Sequence, residues 1–447
     1  MNSIKNILVV GAGAVGGYFG ARLALAGAEV TFIARGGRLS AMQKGGLVLK
    51  RTDSAGGQRE DRLKVFAAEK PDGKYDLIII SVKSMDTAAA AAIASGHLEE
   101  GGAVVSLQNG VENVDIIAEN FPKESVIGGV VRSALSNDGF NTVSYISYPS
   151  VIIGAAFEEG RRHEAELKTL FTLAGIQILI TDNIRAKQWE KLIWNIAFNP
   201  LSALTFATCG EMVKSERLSL IMRAVAEEAV QAALLCGVNL RKGAAQKALE
   251  LDPAFNDFKT STLQDVERNR KPEIEAIMLP VVRWAKEGKI SAPFTECLYE
   301  LLQFRHERWY HTFPRLAADV LAVNGDKLLL IERKHPPHGW AIPGGMVDYG
   351  ESVESAAVRE FFEETGIKKG ERDITLLGVY SEPSRDKRGH TVSVVYYTFT
   401  DEAPIAADDA KSACYFPIDN LPPLVFDHKK VIEDYLAKTD GRRPDGR

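Results

Sequence analysis

The sequence predicts three successive units: an α/β unit with a parallel sheet over residues 1–185, an all-helical unit over 186–310, and an α+β unit with a mixed sheet over 315–438. Three observations carry this reading. Short apolar runs at 7–10, 29–34, 77–82, 103–107 and 126–131 alternate with helical patterns, as parallel βαβ units require. From about residue 186 the β-rich runs stop, and long helical stretches such as 218–236 and 278–286 replace them. From Arg315 the pattern is β-rich again: runs at 316–323 and 327–333 flank Asn324-Gly325, a strong hairpin signal, and a strand at 391–400 and a closing helix at 429–436 follow. His311-Thr312-Phe313-Pro314 reads as a short connector between the second and third units, and without Gly/Ser richness it limits their motion.

Composition sets outer bounds. At about 150 residues per domain, 447 residues make about three domains, and 45% hydrophobic with 25% charged residues is ordinary for a soluble globular chain. A net charge of −5 gives no electrostatic case for nucleic acid or an anionic membrane, so the expected ligands are small molecules and the expected protein partner, if any, is a second copy in a homo-oligomer. Cys209, Cys236, Cys297 and Cys414 are far apart and form no CxxC pair, which argues against a disulfide scaffold or a zinc site and makes a reducing cytoplasm the default. The apolar run at 7–10 meets glycines at once, too early for a signal-peptide core, and no stretch approaches the roughly 20 apolar residues of a membrane helix. Residues 439–447 read as a disordered tail.

In the first unit, Gly11-Ala-Gly13-Ala-Val-Gly16 follows the strand at 7–10 and opens a helix to about Ala26. In a Rossmann unit such glycines allow a tight turn and a close backbone approach to a pyrophosphate at the helix N-terminus. A lone GxGxxG is weak; its place between strand and helix strengthens it. NAD-using proteins put an acid at the end of the second strand to accept from the ribose 2′-hydroxyl. Here the strand at 29–34 ends in Arg35, with Arg38 close behind, and a guanidinium suits a 2′-phosphate, which favours NADP(H). An ordinary solvated arginine is an equal reading for Arg38.

The second unit carries Trp189-Glu190-Lys191-Leu-Ile-Trp-Asn195-Ile-Ala-Phe-Asn199-Pro200. Lys191, Asn195 and Asn199 stand at i, i+4 and i+8, drifting only about 40° per step, so they form one polar stripe on an otherwise apolar helix. Buried polar groups need partners, and apolar walls lower a lysine pKa toward useful acid–base range. Pro200 is expected to end or kink the helix. Satisfied interhelical hydrogen bonds are the plainer reading of the stripe. With the glycine loop and Arg35, this segment resembles the ketopantoate reductase (2-dehydropantoate 2-reductase) family over residues 4–310, together with Lys83 in Ser81-Val-Lys83, Asn109 in Leu107-Gln-Asn109-Gly110, Ser261 in Ser261-Thr-Leu-Gln-Asp265, and Glu273. The resemblance implies that Lys191 is the general acid toward the substrate carbonyl and that Glu273 supports it. It places Asn195, Asn199 and Ser261 on the substrate, and Lys83 and Asn109 at the cofactor–substrate junction. Another small 2-oxo acid would need the same lysine.

In the third unit, Glu360, Glu363 and Glu364 stand at i, i+3 and i+4, a self-repelling face that a hard cation such as Mg²⁺ would relieve. Pro343-Gly344-Gly345 and Gly350 break regular structure before them, Ser352 is a plausible N-cap, Val353, Ala356, Ala357 and Phe361 form an apolar stripe, and Gly366 suits a left-handed C-terminal cap. A solvated Glu-rich helix is the bland alternative. Gly345, five residues, Glu351, seven residues, then Arg359-Glu360-Phe361-Phe362-Glu363-Glu364-Thr-Gly366-Ile367 resembles a complete Nudix box, whose family hydrolyses nucleoside diphosphates linked to another moiety. The resemblance implies Mg²⁺ on Glu360, Glu363 and Glu364, catalysis by Glu360 and Glu364, and bracing by Glu351 and Arg359. Gly339-Trp340 and the stretch at 380–390, with Arg385 and Arg388, resemble members that cleave ADP-ribose. Arg385 would then meet a substrate phosphate, though a solvated loop reads equally well, and a core role for Trp340 equals a base-stacking one. A nucleotide-binding regulatory module without catalysis is the competing class; such a module has no need of the glutamates.

Overall fold

The computed structural model describes residues 4–52, 57–132, 135–145, 148–267, 272–312, 314–348, 350–406 and 410–439. These residues group into two compact units, one drawn mainly from residues up to 303 and the other from 304 onward. No helix among the described residues is long and apolar enough to cross a membrane.

The first unit begins with β1 (Asn6–Val10), α1 (Ala14–Leu25), β2 (Glu29–Ile33), α2 (Gly36–Gly45), β3 (Leu47–Thr52), β4 (Gln58–Leu63), β5 (Phe66–Ala68), β6 (Tyr75–Ile80), α3 (Thr87–Ala94), β7 (Leu98–Ser106) and α4 (Asn113–Ala118). It continues with β8 (Val126–Arg132), β9 (Leu135–Asn137), β10 (Thr142–Tyr145), β11 (Ser150–Ala155), α5 (Glu164–Leu173) and β12 (Gln177–Ile180). The main sheet has the order β12-β11-β8-β7-β6-β1-β2-β5. Leu8, Val9, Ile78 and Ile79 are fully buried, as strands covered on both faces must be. The strand order reverses at β1, so the ends of β1 and β6 flank a topological switch point, where α/β sheets place ligands.

Two features correct the expectation of a purely parallel sheet. β11 runs antiparallel to β8. No crossover helix separates them; the chain passes through β9 and β10 instead and returns from the opposite end of the sheet. Second, β4-β3-β10-β9 form a separate four-stranded sheet, in which Val48 pairs with Thr142.

The helical part packs α6 (Ile184–Thr205), α7 (Cys209–Lys214), α8 (Glu216–Leu235), α9 (Ala244–Ala248), α10 (Ser261–Glu267), α11 (Ile274–Lys286) and α12 (Pro293–Thr312). The side chain of Asn183 caps α6 by accepting from the Ala186 N–H at 3.0 Å. Trp189, Ile193, Ile196 and Phe198 share a core with Met222, Val225, Ala229, Met278 and Val281. Of the two expected effects, Pro200 does not end α6: the helix continues to Thr205. The buried residues Leu201, Ser202 and Ala203 hold that extra turn, and tertiary packing outweighs a penalty of about 3 kcal/mol. The expected connector is also shorter, since α12 still includes His311 and Thr312, while Phe313 lies outside the described residues.

The second unit contains β13 (Arg315–Asn324), β14 (Lys327–Arg333), β15 (Trp340–Ala341), β16 (Gly344–Met346), α13 (Val353–Thr365), β17 (Thr375–Tyr380), β18 (Thr391–Phe399), β19 (Ala410–Pro417) and α14 (His428–Thr439). β13 runs parallel to β18 and antiparallel to β14 and β16, so the sheet is mixed. Asn324 pairs with Lys327, which moves the hairpin turn to Gly325-Asp326. Gly325, at φ 62°, takes the first central position, where a left-handed residue matches the twist of the strands. Residues alternate across β13: Ala318, Val320 and Ala322 meet the Ala356, Ala357 and Phe361 stripe of α13, while Leu321 and Val323 meet Val431 and Tyr435 of α14.

Candidate active sites

The glycines between β1 and α1 divide three tasks. Gly11 has φ 100°, and a Cβ there would lie 2.7 Å from the Val82 nitrogen; on Gly16 it would lie 2.1 Å from the Gly11 oxygen and 2.2 Å from Ser81 Oγ. Both positions therefore need glycine for the turn and for close packing against the end of β6. Gly13 is different: nothing lies within 4 Å of its Cβ direction. That open face at the start of a helix fits the approach of a pyrophosphate. Arg35 sits at the end of β2 as the residue before α2 and is exposed, whereas Arg38 points inward, with Nε and Nη2 buried and no hydrogen-bond partner.

A polar network joins the ends of β6 and β7 to α11. Glu273 Oε1 accepts from the Ser84 N–H at 2.8 Å, and its Oε2 accepts from Asn109 Nδ2 at 3.5 Å. Ser84 Oγ donates to the Asn109 oxygen at 2.6 Å, and Asn113 Nδ2 donates to the same oxygen at 2.5 Å. Lys83 Nζ donates to Asp265 Oδ2 at 3.0 Å, which ties the Ser261-to-Asp265 motif to the end of β6. Ser261 itself is exposed at the start of α10. A cleft of about 150 Å³ is lined here by Ser84, Gly110, Asn113, Glu273 and Ala276. The larger cavity, about 480 Å³, lies elsewhere, between Trp189, Trp284 and Arg185, and its Arg185 already holds Asp115 at 2.6 Å.

On α6, Lys191 Nζ donates to the Val131 oxygen at 2.9 Å. Desolvation pushes its ammonium down from 10.5 to about 8; Glu273 pulls it up and Arg132 pushes it further down. Asn195 and Asn199 follow on the same stripe, 5% and 2% exposed. Neither polar atom of the Asn199 side chain has a partner, although both are buried. That observation removes the reading of Asn199 as a satisfied interhelical hydrogen bond, because unpaired buried amides are rare and costly.

In the second unit, Arg359 is the hub of the box. It donates to both Glu351 oxygens at 2.5 and 3.2 Å, to the Met346 oxygen at 3.0 Å, to Glu360 at 2.7 Å and to Glu363 at 3.2 Å. Among the described residues, no three acidic, histidine or cysteine side chains converge into a cation cage. Glu364 turns inward: it is 3% exposed and accepts from the Gly344 N–H at 2.8 Å. Burial raises its pKa well above 4.5, the Gly344 N–H opposes, and the Glu360 charge adds to the rise. The donor set is all carboxylate oxygen, the ligand type of hard cations, and a cation beside Glu360 and Glu364 would reverse that destabilised charge. The paired glycines have separate reasons: a Cβ on Gly345 would strike the Glu360 carboxylate at 2.3 Å, and one on Gly344 would lie 2.2 Å from Asp319 Oδ1.

Arg385 is no solvated loop residue; it is buried and paired with Asp427 at 2.7 Å, while Arg388 pairs with Asp386 at 2.8 Å. Trp340 packs edge-on against Phe416 at 4.6 Å, a core contact. Sequence reasoning did not single out Asp319, buried with Ser393 Oγ donating to it and raised to about 6 by desolvation, or Asp427. Their one visible signal is an acid inside an apolar strand for Asp319.

Family models match in the order of these units: Ketopantoate reductase PanE/ApbA over residues 7–157, Ketopantoate reductase PanE/ApbA C terminal over 183–306, and NUDIX domain over 313–435. A 2-dehydropantoate 2-reductase of Archaeoglobus fulgidus is 31% identical over 303 residues, covering 67% of this chain and 97% of that protein. An ADP-ribose pyrophosphatase of Methanocaldococcus jannaschii is 46% identical over 131 residues, covering 29% of this chain and 76% of that protein. A crystal structure of a PanE/ApbA family ketopantoate reductase from Ralstonia eutropha JMP134 superposes at TM-score 0.62 with 32% identity, over 68% of this chain and 100% of that one. The chain therefore belongs to the ketopantoate reductase family and carries, after its helical part, a NUDIX domain.

Proposed function

We propose that the first unit reduces 2-dehydropantoate to pantoate with NADPH. The observation that carries this reading is the Lys191–Asn199 stripe. Lys191 spends one of its three donors on Val131, which leaves two for a substrate carbonyl. NADPH supplies a hydride to C2 of the oxo acid. Lys191 gives a proton to the carbonyl oxygen as it becomes a hydroxyl, and Glu273 favours the charged, acid-competent lysine through space. Asn199 can donate to a carboxylate and accept from a hydroxyl, and 2-dehydropantoate offers both groups. Arg35 at the end of β2 supports NADPH over NADH. Steady-state reduction of 2-dehydropantoate against a panel of other small 2-oxo acids tests the substrate; a higher kcat/KM for another member would replace it.

We infer that the second unit is a Mg²⁺-dependent pyrophosphohydrolase acting on nucleoside diphosphates of the ADP-ribose type. Glu360, Glu363 and Glu364 would hold the cation, and Mg²⁺ supplies neutralisation of the charge on a pyrophosphate. Arg359 is braced by Glu351 and pairs with Glu360 and Glu363, so it would share those two carboxylates with the cation. Support comes from the inward-turned Glu364 and from the 46% identity to a protein named for ADP-ribose cleavage. A hydrolysis screen over ADP-ribose, NADH, coenzyme A and nucleoside triphosphates, with and without Mg²⁺, tests it. Absence of hydrolysis of every member would leave the regulatory-module reading standing.

A further inference from the structure

Among the described residues, the glycine-loop region holds a guanidinium whose inward-facing nitrogens have no hydrogen-bond partner. Arg38 stands on α2 three residues after Arg35, and its Nε and Nη2 are buried without a hydrogen-bond partner. Guanidinium carries five donors and no acceptor, so only an acceptor or an anion can compensate it. An uncompensated buried charge is among the costliest arrangements a fold can hold, and desolvation pushes this one down from 12.5 to about 10.

Its location is beside the first turn of α1. The Gly17 N–H donates to the Gly13 oxygen at 2.8 Å, so the two glycines stand one turn apart on the same face of α1. A Cβ on Gly17 would lie 3.4 Å from Arg38 Nη2, whereas the same direction from Gly13 is open. The Arg38 guanidinium therefore lies against α1 one turn beyond the open Gly13 position, carried on the helix that follows the end of β2, the strand end at which this fold class places the cofactor ribose. Arg35 stands exposed after that strand, and Arg38 follows three residues later with its Nε and Nη2 turned inward.

We propose that Arg38 is a specificity-determining residue that binds the ribose 2′-phosphate of NADPH jointly with Arg35. A phosphate monoester supplies the charge that Arg38 lacks, and two guanidiniums make charge-assisted bonds to a dianion that a 2′-hydroxyl does not match. The inference rests on the NADPH reading above and adds an inner residue to it. It also explains why the site keeps a buried arginine that the fold itself leaves unpaired.

Equilibrium binding of NADPH and of NADH to the full chain, without oxo acid, tests the proposal in wild type, Arg38→Met and Arg35→Met. Arg38→Met is expected to weaken NADPH about 10- to 100-fold and to leave NADH within about twofold. The melting temperature of the ligand-free variant stays level or rises, because an uncompensated charge is gone, while the NADPH-induced rise shrinks. Unchanged NADPH affinity in Arg38→Met overturns the proposal, as does an equal loss of both cofactors with a lowered melting temperature, which would mark a structural role. A wild type that binds NADH as tightly as NADPH refutes the NADPH reading itself, whereas a wild-type preference that persists in Arg38→Met refutes only the part given to Arg38.

Discussion

The acid role proposed for Lys191 requires its protonated form, so the reductase activity is expected to have an alkaline limit set by the surroundings of this lysine. Desolvation lowers its pKa from 10.5 to about 8; of the two charges that modify it, Glu273 acts upward and Arg132 downward. The competent form therefore predominates below about pH 8 and disappears above it. About one tenth remains at pH 9, so kcat/KM is expected to fall about tenfold per pH unit on the alkaline side. An unperturbed lysine would hold its activity to about pH 10. The neighbours supply an internal control with signs that cannot be exchanged: Glu273→Gln moves the limb to lower pH, and Arg132→Gln moves it to higher pH. Lys191→Ala removes the acid and lowers turnover by about 10²–10⁴, with little effect on NADPH binding. The assay is NADPH oxidation at limiting 2-dehydropantoate across this pH range. A profile flat to about pH 10, or a limb that ignores Glu273→Gln, refutes the reasoning; near-wild-type turnover in Lys191→Ala refutes the role of the lysine.

Other perturbations separate the remaining claims. Arg35→Asp should abolish the preference for NADPH over NADH in kcat/KM, and an unaltered ratio counts against Arg35. Asn199→Leu removes two unpaired buried atoms, so its melting temperature should hold or rise while KM for the oxo acid climbs about tenfold; a fall in melting temperature would show a structural hydrogen bond instead. Glu364→Gln should eliminate Mg²⁺-dependent hydrolysis, keep the reductase activity, and leave the fold intact because a buried, destabilised carboxylate is gone; hydrolysis at the wild-type rate would exclude this helix as the metal site. His428 is buried, accepts from the Ile342 N–H at 2.9 Å, and is pushed from 6.5 down to about 3 by desolvation and by Arg385. The unfolded chain thus binds a proton that the folded one refuses, and this group alone costs about 1.4 kcal/mol per pH unit below 6.5. Asp319, raised to about 6, works in the opposite direction, so the test is the difference in melting temperature between wild type and His428→Asn from neutral to acid pH, which should narrow as pH falls.

Elements were legible where one local signal decided them. The strands at 7–10 and 77–82 are apolar on both faces, and the helix at 353–365 has its Ser352 cap, its apolar stripe and Gly366 at φ 70° all in sequence. The four-stranded sheet was not legible, because β4 is Gln58-Arg-Glu-Asp-Arg-Leu63, mostly exposed, and β3 finds β10 only across a separation of some ninety residues that no local pattern records. The expectation that Pro200 could end α6 failed for the complementary reason: its local penalty is real, but the walls that hold the helix beyond it come from α8 and α11.

The sites divide along the same line. Spacing alone aligned Lys191, Asn195 and Asn199, since one helix carries all three; no spacing could show that Glu273 holds Ser84 and Asn109 while its charge acts on Lys191 through space, or that Lys83 finds Asp265. In the box, the sequence presents three glutamates on one face as mutual repulsion awaiting a cation. The fold supplies a different first answer: Arg359 takes Glu360 and Glu363, and Glu364 retreats to the Gly344 N–H. Arg359 is thus both the brace of the loop and a stand-in charge. A cation entering between Glu360 and Glu364 would not meet three free carboxylates; it would compete with one guanidinium for two of them and find the third already dehydrated. Such a site binds its metal more weakly than three unopposed acids would, and a substrate pyrophosphate that brings its own oxygens to the cation would tip the balance. Metal and substrate binding should therefore be mutually reinforcing at this helix.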